Sequence, residues 1–130
     1  MQAAVVDASI LIELSGERGT GMRSFLGRAR LHAPQLVLLE TTNALRRSVR
    51  SERRDPASTG DWLVSLARFP RLALHPHGAL LTRVWSLRGH CTAYDASYVA
   101  LAERLRVPLL TLDRPLARAA SRFVEVVVPD

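Results

Sequence analysis

The chain has 130 residues, 48% of them apolar, a formal charge of +6, one cysteine and 18 basic residues that are all arginine. That length and composition predict one domain over residues 1–130 with a single core, burying about two thirds of the surface of the unfolded chain. They exclude a membrane span, for which no apolar run reaches roughly 18 residues; the acid at Asp7, with no basic residue before it, argues against a signal peptide, and the lone Cys91 fits a reducing cytoplasm.

In chain order, Ala3–Val6 is a short apolar run ending at Asp7 and reads as a buried strand. Ala8–Leu14 carries Ile10, Leu11 and Leu14 at helical spacing, with Asp7 or Ser9 placed to cap it. Ser15–Gly21 is rich in turn formers and is expected to be a loop, and Met22–Arg30 a short helix. The next stretch is ambiguous, since Leu36–Leu39 has strand composition. Pro34 nevertheless suits a first helical turn, and Leu36, Leu39, Asn43 and Arg47 keep helical spacing. A brief strand at Leu31–Ala33 and one helix from Gln35 to Arg53 are therefore expected, broken by Asp55-Pro56. Helices follow at Ala57–Phe69 and Gly78–Arg88, with a strand at Leu72–Leu74 between them. Tyr94–Arg106 is apolar nearly all round and should be a buried helix. Val107–Leu112 reads as a buried strand ending at Asp113, Pro115–Ala120 as a helix and Phe123–Val128 as a last strand. Strands alternating with helices predict an α/β fold with a mainly parallel sheet covered on both faces.

The absence of lysine removes the Walker A loop, Schiff-base and pyridoxal chemistry, and the lysine-dependent receiver domains. No G-x-G-x-x-G and no G-x-S-x-G is present. The twelve acids sort by their neighbours. Eight stand in polar, loop-like or terminal text and read as surface charge. The other four, Asp7, Glu40, Asp95 and Asp113, stand inside apolar text, where an acid needs a partner. Capping accounts for Asp7 and Asp113 singly, and Asp95 suits a first helical turn. Capping does not account for their convergence: Asp7 and Asp113 both end strands, and strand C-termini of an open parallel sheet face the ligand crevice.

Four gathered carboxylates repel one another unless a cation intervenes. Mg²⁺ or Mn²⁺ suits such an oxygen-only set, and zinc does not, because His75-Pro76-His77 is expected to be a surface loop and no Cys/His cluster exists.

The same residues carry a resemblance. Val5-Val6-Asp7-Ala8-Ser9, Glu40-Thr41-Thr42-Asn43-Ala44-Leu45, Tyr94-Asp95-Ala96-Ser97-Tyr98-Val99-Ala100-Leu101-Ala102 and Leu110-Thr111-Leu112-Asp113 follow in the order and spacing of a PIN-domain ribonuclease. More narrowly, the chain resembles the VapC-type toxins of toxin–antitoxin pairs, over essentially its whole length. The resemblance implies a three-layer α/β/α sandwich and Mg²⁺- or Mn²⁺-dependent endoribonuclease chemistry. It assigns Asp7, Glu40, Asp95 and Asp113 to a catalytic, metal-binding pocket, with Ser9, Asn43 and Thr111 in support. It also implies a homodimer and a VapB-type antitoxin whose C-terminal segment covers the site.

Arginine supplies the side that would face RNA. Arg46, Arg47 and Arg50 lie on the helix of Glu40, and Arg114 and Arg118 follow Asp113. They suit phosphate contacts that give affinity with little sequence reading. Setting the four pocket acids aside leaves 18 arginines against 8 acids, a strongly basic shell. Two other readings remain: a catalytically silent PIN-like module that holds RNA or protein, and a small phosphatase. The second is weakened because Asp7-Ala8-Ser9 lacks the second acid of a D-x-D motif.

Overall fold

A computed structural model describes all residues, 1–130. Its strands are β1 (Ala3–Val6), β2 (Arg30–Pro34), β3 (Leu72–His75), β4 (Leu109–Leu110) and β5 (Val126–Val127). The helices are α1 (Ala8–Ser15), α2 (Gly19–Leu26), α3 (Leu36–Arg50), α4 (Pro56–Ala67), α5 (Leu81–Ser86), α6 (Ala93–Leu105) and α7 (Arg114–Ala120). The strands form one sheet in the order β3-β2-β1-β4-β5. Every pairing is parallel, with Val5 opposite His32 on one side and Leu109 on the other.

That order decides where a site can form. From β1 the chain winds outward through β2 to β3, then returns across the sheet to β4 and β5, so the winding reverses between β1 and β4. Right-handed crossovers put α1–α4 on one face and α5–α7 on the other. The packing agrees: α1 lies against α2 and α3, and α3 against α4, while α6 lies against β1, β2, β4, α5 and α7. This is the expected three-layer sandwich. The C-terminal ends of β1 and β4 flank the switch point, where open α/β sheets hold their ligands.

Ala4, Val5, Val6, Leu109 and Leu110 are fully buried, as central parallel strands covered on both faces must be. The continuous run Ala96–Ala102 is buried as well, because α6 is enclosed by the sheet and two neighbouring helices. Its alanines and Ser97 let the backbone approach the sheet closely. No helix is long and apolar enough to cross a membrane.

Several expected boundaries shift. The helix expected from Met22 starts at Gly19, inside the expected loop, and stops at Leu26. Gly19 is there for space: a Cβ on it would stand 2.4 Å from the Leu14 carbonyl oxygen at the end of α1. Gly27, at φ +56°, then turns the chain out of α2 before Arg30. The helix expected to reach Arg53 ends at Arg50, because Glu52 adopts a left-handed conformation at φ +61°. The Glu52 and Arg53 N–H groups donate back to the carbonyls of Val49 and Ser48 at 3.0 and 2.9 Å, closing a Schellman motif. The segment expected to be one helix at Gly78–Arg88 is a 3₁₀ turn over Gly78–Leu80 followed by α5. The strands expected at Val107–Leu112 and Phe123–Val128 shrink to β4 and β5, although the Thr111 N–H still donates to the Val127 carbonyl at 3.2 Å.

Candidate active site at the crevice between β1 and β4

Asp7 follows β1 directly and is 5% exposed. It occupies the capping position of α1, yet its side chain makes no capping bond. Its two oxygens are instead held by two hydroxyls. Ser9 Oγ donates to Oδ1 at 2.5 Å, and Thr111 Oγ1 donates to Oδ2 at 2.7 Å. Each hydroxyl is in turn oriented by the chain that follows β4, accepting from the N–H of Leu112 at 2.8 Å and of Asp113 at 2.9 Å respectively. The expected supporting roles of Ser9 and Thr111 thus have a geometry: they lock Asp7 to the backbone that carries Asp113.

Asp113 is exposed and caps α7, its Oδ1 accepting from the Leu116 N–H at 3.2 Å. Asp95 lies in the first turn of α6, which is capped by Thr92: the Asp95 N–H donates to Thr92 Oγ1 at 3.2 Å. Glu40 stands on α3 facing α6, and the buried Tyr98 donates its hydroxyl to Glu40 Oε1. Thr92 and Tyr98 were not singled out from the sequence. Thr92-x-x-Asp95 was a legible capping signal, and a tyrosine in a buried helix always needs a partner for its hydroxyl.

The electrostatics mark these acids as one group. Burial pushes Asp7 above the ordinary carboxylate range against the opposing pull of Ser9 and Thr111, and Asp113 adds repulsion. Burial also raises Glu40, opposed by the Tyr98 hydrogen bond and reinforced by Asp7, Asp95 and Asp113. Asp95 is raised by burial and by Asp113. Burial, with Glu40 beside it, drives the Tyr98 hydroxyl far up, so it stays a donor. None of the 18 arginines neutralises the group, for the one ion pair in the chain joins Arg83 to Glu103.

The donor set is therefore all oxygen, negatively charged and without a counter-charge of its own, which is the chemistry of a hard divalent cation. The carboxylates do not close into a cage, since no three of them come within reach of one ion. An ion there would take one or two of them directly and keep water on its other positions, as Mg²⁺ prefers.

Asn43 is not drawn in. It is exposed on α3, and its Oδ1 accepts from Arg46 Nε at 3.3 Å. Arg46, Arg47, Arg50, Arg114 and Arg118 are all exposed, and none bonds an acid of the group. Of the α3 arginines, Arg47 returns closest to the direction of Glu40, seven residues and about 20° away on an ideal helix. The histidines are less loop-like than expected. His75 ends β3, with Nε2 3.0 Å from Nδ1 of His32, while the exposed His77 accepts from the Leu36 N–H at the start of α3 at 3.0 Å. Trp62 and Cys91 pack against the core, whereas Trp85 is 68% exposed beneath the Arg88 guanidinium.

Comparison with known proteins bears on the family and the fold. The family model "PIN domain" matches residues 4–122. The VapC ribonuclease Mb0985 of Mycobacterium bovis is 39% identical over 115 residues, covering 87% of each chain. Ribonuclease VapC1 of Mycobacterium tuberculosis is 38% identical over 97% of each. Among solved structures, PAE2754 from Pyrobaculum aerophilum superposes with a TM-score of 0.73 at 25% identity, covering 98% of this chain and 84% of that one. A toxin–antitoxin complex from Klebsiella pneumoniae gives 0.66 at 19% identity over 98% of both chains, which is a likeness of fold. With the family model spanning nearly the whole chain and relatives of this identity matching it almost end to end, the chain belongs to the PIN-domain family and, within it, to the VapC ribonucleases.

Proposed function

We propose that the chain is a Mg²⁺- or Mn²⁺-dependent endoribonuclease acting as the toxin of a VapBC-type pair. The observation that carries the reading is the group Asp7, Glu40, Asp95 and Asp113, mutually repelling and without a cationic partner at the switch-point crevice. The relatives named ribonucleases support RNA as the substrate.

A divalent cation, when bound, lowers the pKa of a water and offsets charge on the scissile phosphate. The chain's own residues do the rest. One or two of Asp7, Glu40, Asp95 and Asp113 would hold the ion directly and the others would act through its waters, with Asp7 kept in one orientation by its two hydroxyls. Glu40 faces the same crevice, where its free oxygen would meet the ion or a water bound to it. Arg114 adjoins Asp113 and, with Arg47 on the α3 side, offers planar phosphate contacts that set the RNA backbone across the acids. Water is the nucleophile in an in-line displacement, so no covalent bond to the enzyme forms. The presence of all four acids in the sequence supports this reading over the silent module.

The partners belong to the same proposal. Between α2 and α4 an apolar groove lined by Leu14, Leu26, Trp62 and Phe69 has Arg23 and Arg71 on its rim, a surface suited to an amphipathic acidic antitoxin segment. Leu39, Leu81, Trp85 and Tyr94 are more than half exposed and suit a homodimer contact. The lone Cys91 and the proposed RNA substrate fit a cytoplasmic location.

The test is cleavage of RNA by the purified chain with Mg²⁺, with chelator, and with Asp7→Asn or Asp95→Asn. Cleavage lost on chelation and in both variants supports the proposal, and cleavage that survives all three treatments overturns it.

A further inference from the structure

Glu40 receives a single hydrogen bond from the protein, from Tyr98 to Oε1. Its other oxygen, Oε2, has no protein partner, yet the one buried, unpartnered side-chain oxygen of the chain is Thr41 Oγ1; Oε2 therefore reaches solvent. Tyr98 itself is 2% exposed, so its ring is held by packing and its hydroxyl has one place to point. It lies three residues after Asp95 on α6, on the same side and one turn further in. The Tyr98–Glu40 bond thus ties α3 to α6 beside the crevice, on opposite faces of the sheet.

We propose that Tyr98 is a positioning residue which, by holding Oε1 toward its buried hydroxyl, turns Oε2 to the crevice and so favours a one-oxygen contact suited to a small octahedral cation. Both oxygens of a free glutamate can embrace a larger ion, as carboxylates do for Ca²⁺, whereas Mg²⁺ takes single oxygens in a strict octahedron with water on the remainder. The hydroxyl also removes the rotamer freedom that a half-buried glutamate would otherwise lose on binding. The proposal rests on the metal-dependent reading above and adds to it the residue that sets Glu40's geometry.

The experiment is calorimetric titration of the full chain with Mg²⁺ and separately with Ca²⁺, without RNA. Tyr98→Phe keeps the ring and removes the donor. Its expected effect is about a tenfold loss of Mg²⁺ affinity, the scale found when a partner of a ligating side chain is removed, with a smaller loss for Ca²⁺. Glu40→Gln keeps an oxygen for the Tyr98 hydroxyl, and adding Tyr98→Phe to it is expected to cost no further Mg²⁺ affinity, since Tyr98 acts through Glu40. Glu40→Asp, too short to reach the hydroxyl, is expected to reproduce the Tyr98→Phe pattern. Unchanged Mg²⁺ affinity in Tyr98→Phe, equal losses for the two ions, or additive losses in the double variant would overturn the proposal while leaving the metal site intact. A wild-type chain that binds neither ion would instead overturn the metal reading, and this proposal with it.

Discussion

Thr111 joins two acids that are far apart in sequence: its hydroxyl donates to Asp7 Oδ2 at 2.7 Å and accepts from the Asp113 N–H at 2.9 Å. With Ser9 doing the same for Oδ1 and the Leu112 N–H, the end of β1 and the end of β4 are clamped across the switch point. The site is therefore part of the fold's own closure. Thr111→Val, nearly equal in volume, should leave Asp7 Oδ2 and the Asp113 N–H without this partner. The expected loss is about 1–3 kcal/mol of stability in urea denaturation, together with reduced RNA cleavage, and Thr111→Ser should restore most of both.

Thr41 is a neighbour of the site that should tolerate change. It is fully buried on α3, and its Oγ1 has no hydrogen-bond partner. Thr41→Val removes that orphaned hydroxyl at constant shape and is expected to stabilise the chain by about 1 kcal/mol. Thermal unfolding reads this directly, and a lower melting temperature would show that the hydroxyl is satisfied in solution.

Glu52 ends α3 with a positive φ of 61° in the Schellman turn. A residue bearing a Cβ is strained there and glycine is not, although glycine adds freedom to the unfolded chain. Glu52→Gly should give a net gain of about 0.5–1 kcal/mol in denaturant titration, and Glu52→Val a loss.

The facing pair His32 and His75 supplies a pH dependence away from the acids. Burial lowers both below the ordinary histidine value. His75 and Arg30 add to the effect on His32, and Arg104 adds to it on His75. A lowered value means that the folded chain binds these protons less readily than the unfolded chain. The pair's contribution is therefore complete above about pH 6.5 and is lost as pH falls through the lowered values. In His75→Asn this loss between pH 7.5 and 5.5 should be smaller than in the wild type, as measured by urea denaturation at the two pH values. An equal or larger loss would contradict the assignment.

Much of the fold was legible because the central strands are buried on both faces and so read as unbroken apolar runs, as at Ala3–Val6 and Leu109–Leu110. The four acids were legible for the complementary reason, charge set inside that apolar text. Features fixed by local backbone fit were harder to read. Gly19 looks like a loop residue but begins α2 because no side chain fits against Leu14, and Glu52 ends α3 with no glycine to announce it. Tyr98 was hidden by its own apolarity: in a helix as buried as α6 its ring reads as core, and only the fold shows that its hydroxyl meets Glu40. Asn43 shows the reverse, a polar residue one turn from Glu40 whose amide oxygen is engaged by Arg46.

The central claim, that these four acids cut RNA, is tested most directly by sequencing RNA 5′ ends after induced expression of the wild-type chain and of Asp95→Asn. The account predicts a set of new ends in the wild type that is absent from the variant. The same new ends in both, or none in the wild type, would contradict it.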